Sequence, residues 1–115
     1  MRVPGSILAR PDPLGLIHAW VNFSGTSGDL YDGENVSSVT RNGAGDYTVT
    51  WRRAFASATY VLTGLGRNDG DATVAFPCTK ASTTPTTTSI TVTTFDGVGT
   101  AVDHKVITLI AAGRQ

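Results

Sequence analysis

At 115 residues the chain is one domain, or one domain with a short arm, and it is long enough to bury about two-thirds of its unfolded surface. Nine basic and nine acidic residues cancel, which argues against a nucleic-acid partner and against a polybasic membrane binder. Eighteen threonines against a single glutamate, Glu34, and few leucines exclude a helical bundle, because β-branched side chains suit strands and crowd helices.

Residues 1–16 read as an irregular arm. Pro4, Gly5, Arg10, Pro11 and Pro13 interrupt any signal-peptide core, so the protein is expected to be made in the cytoplasm and not Sec-exported. Ile7, Leu8, Leu14 and Leu16 give the arm enough apolar surface to act as a docking strap in a groove. Strand signals begin at Ile17, with Ile17, Ala19, Val21 and Phe23 alternating onto one face. Residues 24–33 read as a turn-rich loop, and Asn35 to Thr40 as a short strand. Asn42-Gly43 is a hairpin signal, since both residues tolerate positive φ. Tyr47, Val49 and Trp51 then alternate inward against Thr48, Thr50 and Arg52.

Ala58 to Leu65 forms the next expected strand, followed by a sharp turn over residues 66–71. Ala72 to Phe76 reads as a short strand stopped by Pro77, and residues 79–89 as a threonine-rich, mobile loop. Ile90 to Phe95 ends at the Asp96-Gly97 turn. Thr100 to Ala112 is the last and longest strand expected, and it becomes apolar on both faces after Ile107. About seven short strands with regular turns predict an all-β, antiparallel β-sandwich over residues 17–115.

Three sets of residues carry a family resemblance. They are Ala19-Trp20-Val21-Asn22-Phe23-Ser24-Gly25-Thr26, the run from Asn35 to Thr50 (NVSSVTRNGAGDYTVT), and the later pieces Thr94-Phe95-Asp96 and Gly99-Thr100-Ala101-Val102-Asp103. In this order and spacing the chain resembles the C-terminal tip domain of bacteriophage and prophage tail fibre proteins, over residues 17–112. The resemblance implies a structural virion protein, a homotrimeric β-sandwich knob that touches a host-surface glycan or protein during adsorption. The SGDLYDGE stretch departs from it, because related sequences more often continue there as an apolar-basic strand. An arm of sixteen residues cannot make a fibre shaft. The chain is therefore expected to attach through another virion protein, by way of the arm, or to decorate the particle as a short head or tail spike.

The chemistry-bearing residues favour binding over catalysis. Asp29 and Asp32, and Asp69 and Asp71, sit in glycine-rich turns where solvent keeps paired carboxylates ionised, so no glycosidase pair is expected. Asn68-Asp69-Gly70-Asp71 lacks the downstream bidentate glutamate of a calcium loop. No nucleophile elbow, P-loop or zinc motif is present, so no cofactor and no metal are expected. His18 and His104 stand apart on separate expected strands, and Cys78, alone and without a nearby histidine, reads as a buried or inert thiol. Tyr31, Arg67, Asn68 and Asp69 are the candidate receptor-binding residues, since a stacking ring and a forked donor beside hydrogen-bond acceptors suit glycans or polar epitopes. His18, Trp20 and Asn22 share the face opposite Val21. With Leu109 and Ile110 in the apolar end strand, they are the expected oligomer interface.

Overall fold

The computed structural model describes residues 17–67, 76–80 and 82–115. Eight strands run in chain order: β1 (Ile17–Ser24), β2 (Leu30–Glu34), β3 (Val36–Gly43), β4 (Asp46–Trp51), β5 (Val61–Arg67), β6 (Phe76–Thr79), β7 (Ser89–Phe95) and β8 (Val106–Ala112). They form two antiparallel four-stranded sheets, ordered β2-β1-β8-β5 and β3-β4-β7-β6. The all-β class and the two-sheet arrangement are those read from the sequence.

Period-two alternation builds the core. Ala19, Val21 and Phe23 of β1 and Ile107, Leu109 and Ala111 of β8 point inward, and so do Tyr47, Val49 and Trp51 of β4 and Ile90 and Val92 of β7. The Phe23 and Tyr47 rings meet edge to face at 5.3 Å and join the two sheets at one end. At the other end Trp51, Phe55 and Tyr60 form a second aromatic group, with Phe55 and Tyr60 stacked at 4.3 Å.

Several boundaries differ from the sequence reading, each for a physical reason. The expected loop over 24–33 contains β2, a polar edge strand that shows no alternation because both of its faces meet solvent. The hairpin between β3 and β4 turns at Ala44-Gly45, where Gly45 has φ +64°, while Asn42-Gly43 belongs to β3 beside a register shift. A Cβ at Gly45 would stand 2.7 Å from the Thr94 carbonyl oxygen and from Val102 N, so this turn also needs glycine for space. Strand β5 begins at Val61 rather than Ala58. Pro77 does not stop a strand but lies within β6, at the sheet edge, where its missing N–H costs no ladder bond.

The last strand is shorter than expected. Residues 102–105 lie outside regular structure and β8 starts at Val106. One face of β8 is fully buried and the other, with Val106, Thr108, Ile110 and Ala112, is half-buried. Residues 82–88 are held in place by Thr86, whose Oγ1 accepts from the amides of Thr88 and Ser89 and whose carbonyl accepts from the Tyr60 hydroxyl. The arm 1–16, the turn 68–71 and the first four residues of the expected Ala72–Phe76 strand lie outside the described residues.

Candidate functional site

The residues that carry the family resemblance converge. Arg41 of β3 grips Asp103 through Nη2 at 2.7 Å and Nε at 3.2 Å. Asp103 Oδ1 also accepts from Gly45 N at 2.8 Å and lies 2.8 Å from the Tyr47 hydroxyl, which is 2.5 Å from the Gly25 carbonyl. The Tyr47 hydroxyl thus sets its one proton between two acceptors. Thr94 joins the same cluster, donating from Oγ1 to the Val102 carbonyl at 2.7 Å and from N to the Gly45 carbonyl at 2.9 Å.

This clamp ties the β1–β2 turn, the β3–β4 hairpin and the segment before β8 into one unit. A Cβ at Gly25 would strike the His104 carbonyl, so the turn approaches this segment as only glycine allows. Burial alone would raise the Asp103 pKa. The hydrogen bonds from Arg41, Gly45 and Tyr47 outweigh it and hold the carboxyl below its usual range. Burial foremost, and then Asp103, push the Tyr47 phenol well above its ordinary value. His104 is completely buried, and its Nε2 meets the Phe95 carbonyl at 3.2 Å, the contact of the Nε2–H tautomer. His104 is thus a structural residue, although not on a strand as the sequence suggested.

The surface that stands out is the outer face of the β2-β1-β8-β5 sheet. Strand register sets its side chains in rows: Glu34, Trp20, Ile110 and Thr63 in one, and Asp32, Asn22, Thr108 and Leu65 in the next. Asn22 Oδ1 accepts from Thr108 Oγ1 at 3.1 Å. Val61 and Leu65 are 65% and 76% exposed, and Trp20 and Ile110 are half-buried beside them. The face runs from acidic residues on β2, through the Trp20–Ile110 and Asn22–Thr108 pairs, to Arg67 at the end of β5.

The expected interface residues divide. Trp20, Asn22 and Ile110 do share this face, with Trp20 and Ile110 directly paired, while His18 falls at the register shift between Ile17 and Ala19. Leu109 does not. It is 1% exposed and points into the core, because β8 alternates with Ile107, Leu109 and Ala111 inward. Leu65 and Val61 belong to the face, and their exposure was not visible in a strand whose register was unknown.

Of the expected receptor residues, Tyr31 is 57% exposed on β2 and Arg67 ends β5 at the same end of the sheet. Three strand spacings, about 14 Å, separate those edges, so the two do not form one contact. Asn68 and Asp69 lie outside the described residues. Asp32 lies on β2, where its Oδ1 accepts from Gly33 N at 2.8 Å. Cys78 is exposed on β6, so of the expected buried or inert thiol the buried alternative does not hold. Among the described residues no group of three His, Cys, Asp or Glu side chains is placed to hold a metal ion. No protein family, curated protein or solved structure matches the chain. The resemblance to tail fibre tips therefore stands on the quoted residues.

Proposed function

We propose that this chain is a tail fibre tip domain of a tailed bacteriophage, a non-enzymatic virion protein that binds a host cell-surface glycan or protein during adsorption. The observation that carries the reading is the clamp. The pieces of sequence that resemble tail fibre tips lie far apart along the chain, yet Gly25, Arg41, Gly45, Tyr47, Thr94 and Asp103 meet in one hydrogen-bonded cluster. Residues that act together in one frame are what a family signature preserves.

Self-association as a homotrimer belongs to the same proposal. Its surface is the outer face with Trp20, Ile110, Val61 and Leu65, where a closed ring covers apolar side chains that a single chain leaves in water. Tyr31 and Arg67, at opposite edges of that sheet, are then separate contributors to host contact, repeated by the symmetry of the assembly. The test is binding of labelled, purified protein to a panel of bacterial strains, together with immunogold labelling of particles that carry it. Binding to a subset of strains and label at the tail tip support the proposal. Label on the head without cell binding replaces it with the second reading, a short decoration or spike protein, which the same apolar face favours by fitting a neighbouring virion protein.

A further inference from the structure

One end of the sandwich gathers positive charge beside a cavity. The segments that follow β4 and β8 run together there. Ala56 N donates to the Arg114 carbonyl at 2.7 Å, and Gln115 Nε2 donates to the Arg53 carbonyl at 3.1 Å. These bonds bring Arg52, Arg53 and Arg114 to one end of the fold, and all three are exposed. Arg41 and Lys80 are paired with Asp103 and Asp46 at the other end. Among the described residues no carboxylate lies within ion-pair distance of the three guanidinium groups. The acid nearest to them in the chain is Glu34, next to Asn35, whose carbonyl accepts from Arg52 N at 3.0 Å.

Against these segments and the start of β5 lies a cavity of about 480 Å³, within the range of about 300–1,000 Å³ usual for small-molecule sites. Its lining includes Ser57, Thr59, Tyr60, Val61, Ala112 and Arg114. The walls are fixed in place. Ser57 Oγ and Thr59 Oγ1 share a hydrogen bond at 2.7 Å, and Ser57 Oγ also accepts from Thr59 N at 3.3 Å. Tyr60 stacks on buried Phe55 at 4.3 Å and donates its hydroxyl proton toward the Thr86 carbonyl at 2.9 Å. A Cβ at Gly113 would stand 2.7 Å from Tyr60 Cβ, so only glycine lets the chain pass this close.

We propose that this cavity binds a sugar ring that carries a carboxylate or a phosphate. Tyr60, Val61 and Ala112 offer apolar surface to the C–H face of a pyranose. The Ser57 and Thr59 hydroxyls both donate and accept, as the ring hydroxyls require. The Arg114 guanidinium is a planar fork suited to an oxyanion. Arg52 and Arg53, on the adjoining segment, raise the local positive potential and draw an anion in. A neutral sugar leaves the guanidinium unmatched. A bare inorganic anion leaves the apolar wall and the paired hydroxyls without a partner. The inference deepens the receptor-binding reading and rests on it for the source of the sugar, a host-surface glycan. The site is separate from Arg67, which stands at the far end of β5 from Val61.

Amide NMR of the isotope-labelled full chain tests it, by titration with methyl glucuronide, glucose 6-phosphate, glucose and sodium sulfate. The expected result is saturable shifts confined to residues 56–61 and 112–115 with at least one acidic sugar, about tenfold tighter than with glucose or sulfate. Whichever acidic sugar binds more tightly names the acidic group. Arg114→Gln changes an exposed side chain, so it should keep the melting transition and weaken acidic-sugar binding about tenfold. Thr59→Ala should weaken it about threefold, and Arg67→Ala should leave it unchanged. No saturable shift, glucose or sulfate binding as tightly as the acidic sugars, or binding unaffected by Arg114→Gln overturns the proposal. Attachment to bacterial strains by a chain that binds neither acidic sugar overturns this inference alone. Acidic-sugar binding by a chain that attaches to no strain overturns the adsorption reading alone.

Discussion

The outer faces of the two sheets are built from opposite materials. On the β3-β4-β7-β6 sheet, Thr48 and Thr91 share a hydrogen bond at 3.0 Å, and Asn42 donates to Thr48 at 2.9 Å. Thr50 pairs there with Ser38 and Ser89. That face is made of polar side chains, several of them hydrogen-bonded to one another. The β2-β1-β8-β5 face pairs Trp20 with Ile110 and leaves Val61 and Leu65 exposed on β5, with Asn22, Thr63 and Thr108 between them. One face meets water with polar side chains and the other leaves Val61 and Leu65 in it, which is why the proposed self-association is placed on the second.

The sharpest way to break the comparison is to exchange core and surface within one strand. Val49 is fully buried and Thr50 faces outward. Val49→Asp places an unpaired carboxylate in the core at a cost of several kcal/mol and should abolish soluble expression. Thr50→Asp should cost under about 1 kcal/mol by thermal unfolding. Equal damage from both would show that the threonine face is covered as well.

The clamp comes next. Tyr47→Phe leaves the Gly25 carbonyl and Asp103 short of a donor and should cost about 1–3 kcal/mol by denaturant unfolding. Asp103 also gives stability a pH dependence with a definite sign. Its folded pKa lies below the unfolded value of about 3.9, so its contribution is present above that value and is lost as the pH falls through the folded one. Asp103→Asn should be less stable near neutral pH and should flatten the acid limb below about pH 4. An unchanged acid limb would move that dependence to other carboxylates, such as Asp46, which Lys80 holds low at 2.5 Å.

The smallest effects on stability are expected at the binding candidates. Tyr31→Ala and Arg67→Ala should leave the melting transition within about 0.5 kcal/mol of wild type. Each should weaken attachment to host cells about thirtyfold, the loss of a hot spot worth about 2 kcal/mol. Because the two lie at opposite edges of the sheet, their losses should add. Cell binding equal to wild type in both variants would remove these edges from the receptor contact.

The sequence made some of this legible and hid the rest for physical reasons. Val21 and Phe23, and Tyr47, Val49 and Trp51, advertised their strands because each strand has one buried face and one outward face. Strand β2 stayed invisible because Leu30, Tyr31 and Asp32 are all exposed and leave no period to read. The Pro77 strand was cut short in the reading because proline breaks a ladder only where its N–H would have been used, and the position of an edge is a property of the sheet. The clamp was beyond local reasoning altogether. Asp103 reaches Tyr47 and Gly45 across more than fifty residues, and its role appears only once β4, β7 and the segment before β8 are assembled. Leu109 was assigned to the interface because a run of apolar residues does not say which of them face the core.

The most direct test of the account is the solution mass of the wild-type chain and of Leu65→Lys, measured by sedimentation equilibrium at micromolar concentration. Leu65 is 76% exposed and lies on the apolar outer face, so lysine there costs the single chain little. The account predicts three times the 12.0 kDa chain mass for wild type, and the mass of one chain, with an intact melting transition, for Leu65→Lys. A wild-type mass of one chain, or a Leu65→Lys assembly as large and as tight as wild type, would contradict the assignment of this face as the surface the protein covers.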